Sequence, residues 1–193
     1  LWIRRQRQMC IRDSPEVVHR YFAASLGLLA IFLLFISIKE KKHILTSSLL
    51  LAIIIGQGIF GYLTVSLKLH PLIVTTHLFG AMITTSIFLV IFLRSLKLQH
   101  NFEILKANRH LIIIGFVLII FQIFLGAWTS TNYAARACLD LPYCQGELIP
   151  NTNFKEAFNL FQTIGPNYLF GQMSNEARVA IHITHRIGAI VVF

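Results

Sequence analysis

Long apolar runs constrain this chain more than any other feature. They lie at about 15–38, 44–67, 71–93 and 110–130, and a fifth begins near 178 and reaches Phe193. Roughly 20 consecutive apolar residues cross a bilayer as a helix, and within lipid a backbone must satisfy its own hydrogen bonds. Charged residues make up 13% of the chain and hydrophobic ones 55%, whereas soluble domains carry about 25% charged residues. The expected fold is an all-α integral membrane helical bundle.

The net charge of +9 does not point to nucleic acid, because the basic residues sit in short segments between apolar runs rather than on a soluble domain. Lys39, Lys41 and Lys42 follow the first run, and Arg94, Lys97, Lys106 and Arg109 lie between the third and fourth. By the positive-inside rule these two loops are cytoplasmic. The turn at 68–71 and the long segment 131–177 then face outward. Residues 15–109 and 110–193 form two successive groups of helices. The arginine-rich stretch 1–14 violates the charge rule, which implies a preceding span or non-native, disordered sequence. Ser14 and Pro15 read as an N-cap and first helical position.

The outward segment contains the cysteine loop "ACLDLPYCQG", residues 137–146. In an oxidising compartment Cys138 and Cys144 are expected to form a disulfide that braces the outer face; two free thiols are the other reading. Metal binding lacks further Cys or His nearby.

Three histidines fall inside apolar runs: His19, His77 and His185. Counted from Pro15, Pro71 and residue 178, they lie roughly 6, 9 and 10 Å into their helices at 1.5 Å per residue. Ionisable residues within a membrane face the bundle interior and mark functional positions. Neutral imidazoles from facing helices suit axial ligation of haem iron. A histidine hydrogen-bonded to a neighbouring helix is the plainer reading of each one singly. His182, three residues before His185, reads as a secondary contact. His43, His70, His100 and His110 read as interfacial.

Internal likeness supports a duplicated bundle. "VHRYFA" (18–23) and "THRIGA" (184–189) share His-Arg-x-x-Ala, and "QGIFGYLT" (57–64) and "QIFLGAWT" (122–129) share Gln-x3-Gly-x2-Thr. The glycines and threonines can be packing residues. Arg20 and Arg186 each follow a candidate ligand and could pair with a haem propionate. Glu16, one turn before His19, is either a carboxylate stabilising a helix start or an acid/base beside a haem edge.

Four stretches together resemble the haem A synthase family: "EVVHRYFAASLGLL" (16–29), "PLIVTTHLFGAM" (71–82), "LGAWTSTNYAARACLDLPYCQGELIP" (125–150) and "AIHITHRIGA" (180–189). The resemblance implies two pseudo-symmetric four-helix bundles with eight spans, of which this chain would supply spans two to six. It implies that His19 and His77 are the haem pair of the first bundle and that His185 pairs with a histidine outside this sequence. The implied reaction oxidises the C8 methyl of haem O to a formyl group by two hydroxylations and loss of water, giving haem A for cytochrome oxidase. Glu16 would lie near the reacting edge, and haem b would serve as an electron-transfer cofactor in the second bundle.

The resemblance also implies a bacterial inner membrane location, or a mitochondrial one, with the cysteine loop on the periplasmic side. Implied partners are haem O synthase, an electron donor, the lipid bilayer and a further copy of the chain. The alternative function is a quinol-linked di-haem cytochrome b. A proton-relaying transporter would need broken helices or mid-bilayer carboxylates, which the sequence lacks.

Overall fold

The computed structural model describes residues 2–96 and 108–193, with side chains described from Pro15 onward. Lys97, His100 and Lys106 lie outside the described residues. The described chain is helical and contains no strand. Its main helices are α1 (Trp2–Lys39), α2 (Ile44–Ser66), α3 (Pro71–Ser95) and α4 (Arg109–Thr131). A one-turn helix, α5 (Phe154–Ala157), and α6 (Asn175–Val192) follow. Among the described residues, four segments are long and apolar enough to cross a membrane: Pro15–Lys39, Ile44–Ser66, Pro71–Ser95 and Arg109–Thr131.

Two helix starts differ from expectation. Helix α1 continues upstream of Pro15, which lies inside it rather than at its first position; only the apolar span begins at Pro15. Helix α6 starts at Asn175, because Ser174 accepts a hydrogen bond from the Ala177 amide and Glu176 complements the helix N-terminus. Its first turn carries Glu176 and Arg178, and Arg186 follows, so α6 is not among the four apolar spans. Counted from Asn175, His185 is roughly 15 Å into its helix, not the 10 Å expected from residue 178. Measured from the helix starts, the three histidines do not lie at one depth; His77 and His185 share a mode of packing instead.

The chain divides into two compact units, residues 1–56 and 57–193. In the first, α1 packs on the opening turns of α2: Ala30 and Leu50 are fully buried, and the hydroxyls of Ser37 and Ser47 are 2.7 Å apart. In the second, the rest of α2 precedes α3, α4 and α6. Helices α3 and α4 meet at Phe79 and Phe124, whose ring centroids lie 6.4 Å apart.

The long segment 131–177 is packed, not a loose linker. Trp128 is fully buried at the end of α4, and its indole N–H donates to the Ala157 carbonyl at 2.8 Å. Ala134, Ala157, Met173, Ala177, Ala180 and Ile181 close around it. The small residues at 177 and 180 let α6 approach closely. Further along, the segment docks on the α2–α3 turn: the Tyr168 amide donates to the Lys68 carbonyl, and Lys68 Nζ donates to the Gly165 carbonyl. His70 is buried there, its Nε2 3.1 Å from the Gln162 carbonyl and its ring edge-on to Tyr168. That corrects the interfacial role expected for His70; His43 and His110 are exposed, as expected.

Candidate functional site

His77 and His185 occupy two seats built the same way. On α2, Gly61 faces His77 of α3, and a Cβ at Gly61 would meet His77 Cε1 at 3.6 Å. On α4, Gly126 faces His185 of α6, where the corresponding distance is 3.3 Å. The contacts are reciprocal. The Gln57 amide lies over Gly80, three residues after His77, and the Gln122 amide lies over Gly188, three residues after His185. A Cβ on either glycine would overlap the glutamine amide. Each seat therefore pairs a Gln-x3-Gly helix with a Thr-His-x2-Gly-Ala helix.

The threonines also match. Thr76 and Thr184, each next to its histidine, donate to carbonyls one turn back, Leu72 and Ala180, at 2.8 and 2.7 Å. These bonds satisfy the hydroxyls within their own helices, as apolar surroundings require. The glutamine half of this seat is legible as the Gln-x3-Gly repeat, but the histidine half is carried less by the likeness of "THRIGA" to "VHRYFA" than by the closer match of "THLFGA" (76–81) with "THRIGA" (184–189), identical at four of six positions. That signal was available and names Gln57, Gly61, Gly80, Gln122, Gly126 and Gly188 as seat residues.

In the second seat, Gln122 Nε2 lies 3.0 Å from His185 Nδ1 and donates to the His185 carbonyl at 3.0 Å. The Gln122 Oε1 is buried without a hydrogen-bond partner. Each histidine rests its Cε1 edge on the glycine of the facing helix. Among the described residues no three His, Cys, Asp or Glu side chains converge as a metal cage. An isolated imidazole suits a macrocycle that brings its own equatorial ligands.

The remaining candidates fall in two places. On α1, Glu16 and Arg20 form an ion pair at 2.6 Å, so the expected acid/base group and the expected propionate partner engage each other. His19, on the same exposed stretch of α1, lies in the first unit, whereas His77 and His185 lie in the second. Arg186 donates to the Cys138 carbonyl at 2.8 Å and to the Tyr143 carbonyl at 3.0 Å. His182 Nδ1 lies 2.8 Å from the Ala134 carbonyl and anchors the 3-10 turn Ala134–Arg136.

Cys138 and Cys144 are disulfide-bonded, with Cα atoms 4.6 Å apart. Both are buried against Val179 of α6. Gln145 and Gly146 take positive φ angles, as the two central residues of a type I′ turn must. The Cys144 and Glu147 backbones bond across that turn. The Gln145 and Gly146 amides point at Asp140, whose two carboxylate oxygens accept from them at 3.0 and 2.9 Å. The Gly146 bond, joined by those of Asp140 and Gln145 and by nearby Arg186, holds the Asp140 carboxyl below its ordinary value. The cysteine loop is thus braced three ways: covalently, by the Asp140 turn, and by Arg186.

Residues 11–193 match the family model described as Cytochrome oxidase assembly protein. The chain is 37% identical over 179 residues to the Heme A synthase of Shewanella oneidensis, which covers 91% of this chain and 54% of that protein. It therefore spans about half the length of the curated relative it matches. No solved structure matches it. A helical membrane chain with two matched histidine seats and this match along nearly its whole length belongs to the haem A synthase family of cytochrome oxidase assembly proteins.

Proposed function

We propose that the chain forms the ligand-bearing core of a haem A synthase, a membrane oxidoreductase that converts the C8 methyl of haem O to a formyl group. The observation that carries this reading is the 37% identity to the Shewanella Heme A synthase across 179 residues. The residues fit a haem: each seat keeps an imidazole against a glycine cradle, and a buried amide oxygen without a partner lies beside His185. Haem O is the substrate and haem b the resident cofactor. His19, His77 and His185 would hold the haem iron.

When bound, haem iron supplies the redox chemistry. The residues of this chain orient the macrocycle and control charge around it. Glu16 is the catalytic carboxylate, and it pairs with Arg20 at the start of the apolar span of α1. Arg20 can exchange Glu16 for a propionate, since the pair is exposed. Arg186, spent on two loop carbonyls, contributes to the propionate side chiefly by fixing the cysteine loop. Lys39, Lys41, Lys42, Arg94 and Arg109 at the opposite helix ends support an inner-membrane orientation with the cysteine loop periplasmic. An electron donor completes the reaction.

The test is chromatography of haem extracted from membranes in which the full-length protein is expressed with a source of haem O. A haem A peak that is lost in Glu16→Ala and retained in a Lys42→Ala control supports the assignment. Bound haem b with no haem A in the wild type points instead to an electron-transfer cytochrome and overturns it.

A further inference from the structure

The Gln122–His185 contact has a chemical asymmetry. As placed, the amide nitrogen serves both His185 Nδ1 and the His185 carbonyl, while Oε1 is buried and unpaired. An amide N–H can only donate, so in this arrangement Nδ1 accepts and the ring proton sits on Nε2. Iron needs a lone pair on the ligating nitrogen. Ligation through Nε2 therefore requires the proton on Nδ1, and an acceptor facing it. Turning the amide over brings the unpaired Oε1 to Nδ1 as that acceptor and gives up the Gln122 Nε2 bond to the His185 carbonyl. This exchange of nearly isosteric ends favours the ligating tautomer only with iron on the ring Nε2. Metal-ligating histidines almost always donate their second N–H to such a group, which fixes tautomer and ring orientation.

We infer that Gln122 is a positioning residue for His185: its amide clamps Nδ1, selects the tautomer with Nε2 free for haem iron, and steers the ring onto Gly126. The inference rests on the haem-binding reading above and deepens it. Gln57 holds the corresponding place, because its amide covers Gly80 as that of Gln122 covers Gly188. Gly80 and Gly188 are then the openings that admit each amide. The cleft beside Gln122 is lined by Leu118, Phe121, Leu125, Ile187 and Gly188, and by Thr184, whose hydroxyl is spent on the Ala180 carbonyl. In such surroundings a polar clamp on the ring has no competition from water.

The test uses full-length protein purified in detergent, reading haem content, the redox midpoint of the bound haem, and its low-spin ferric EPR spectrum. Gln122→Leu should weaken haem retention by about 10- to 100-fold, the usual loss when the partner of a metal-bound histidine is removed. Gly188→Ala should do the same without altering Gln122, because the new Cβ would lie 2.2 Å from Oε1 and displace the amide. Gln122→Glu keeps an acceptor opposite Nδ1–H, so it should retain haem with a lowered midpoint and a shifted EPR signature. A merely structural glutamine would not produce that shift. Wild-type haem content and midpoint in all three variants overturns the inference while leaving the haem reading standing. Wild-type protein that binds no haem overturns both.

Discussion

Arg186 joins the cysteine loop to the helix that carries His185: its guanidinium donates to the Cys138 carbonyl at 2.8 Å, one residue along the chain from the ligand candidate. A second bond, to the Tyr143 carbonyl, spans the disulfide ring from the other side. Charge-assisted bonds of this kind are worth about 1.5–3 kcal/mol each when sheltered, and less where water reaches them. Arg186→Ala should free the loop and expose the disulfide to thiols. The expected outcome is roughly tenfold faster reduction by dithiothreitol, followed by alkylation and mass spectrometry, which corresponds to about 1.4 kcal/mol of local opening. Unchanged kinetics would mean that the Asp140 turn alone holds the loop.

The two seats differ in tightness, and that difference is measurable. At Gly126 an alanine Cβ would come within 3.3 Å of His185 Cε1, closer than ordinary contact, whereas at Gly61 the distance to His77 is an ordinary 3.6 Å. Replacing glycine by alanine in a helix interior otherwise gains up to about 1 kcal/mol. Gly61→Ala should therefore be neutral or mildly stabilising in thermal denaturation and leave haem spectra unchanged. Gly126→Ala should shift the His185 ring and alter the spectrum. Equal behaviour of the two variants would show that the seats flex enough to hide the difference.

Much of this was legible before any coordinates. Apolar length alone located α2, α3 and α4 to within two residues, because a backbone in lipid leaves no alternative to a helix. The cysteine pair was legible from compartment and loop. The start of α6 was not, since its first turn is polar and is set by Ser174 and Glu156, eighteen residues apart in sequence. The burial of His70 was equally hidden, because it depends on Gln162 and Tyr168 arriving from a distant segment. The reciprocal seats lay between these cases. Their motifs are local, but which glycine faces which histidine is a tertiary fact.

Trp128 ties α4 to the segment 131–177 through one hydrogen bond and a filled cavity. Trp128→Phe keeps much of the volume and loses the bond to the Ala157 carbonyl, leaving that buried acceptor unmet at a cost of about 1–3 kcal/mol. Trp128→Ala adds the cavity penalty, for a total of about 3–5 kcal/mol. Limited proteolysis should show cleavage within 145–170 rising modestly in the first variant and strongly in the second. Equal protection in both would place the anchor of this segment elsewhere, at the Lys68–Gly165 contact.

Glu156 should make the segment 131–177 sensitive to acid. Its carboxylate accepts from the Ser174 amide at 2.8 Å and the Ser174 hydroxyl at 2.7 Å, and so holds the N-cap of α6 in place. Those two bonds, the amide bond first, lower its pKa below the ordinary 4.5 against a smaller opposing effect of burial. A carboxyl whose folded value is depressed stabilises the fold fully above its unfolded value and loses that contribution as pH falls through the folded one. The clasp should thus be intact at neutral pH, begin to weaken below about pH 4.5, and be lost at still lower pH. Hydrogen exchange of the Ser174, Asn175 and Glu176 amides, measured between pH 7 and pH 3 and corrected for intrinsic rates, should show protection falling over that window. Glu156→Gln retains one acceptor but no charge. Its protection should be lower at neutral pH, by a few-fold to tenfold, and flat with acidification. A wild-type profile in Glu156→Gln would assign the acid sensitivity to another carboxylate of the segment, Asp140 first among them.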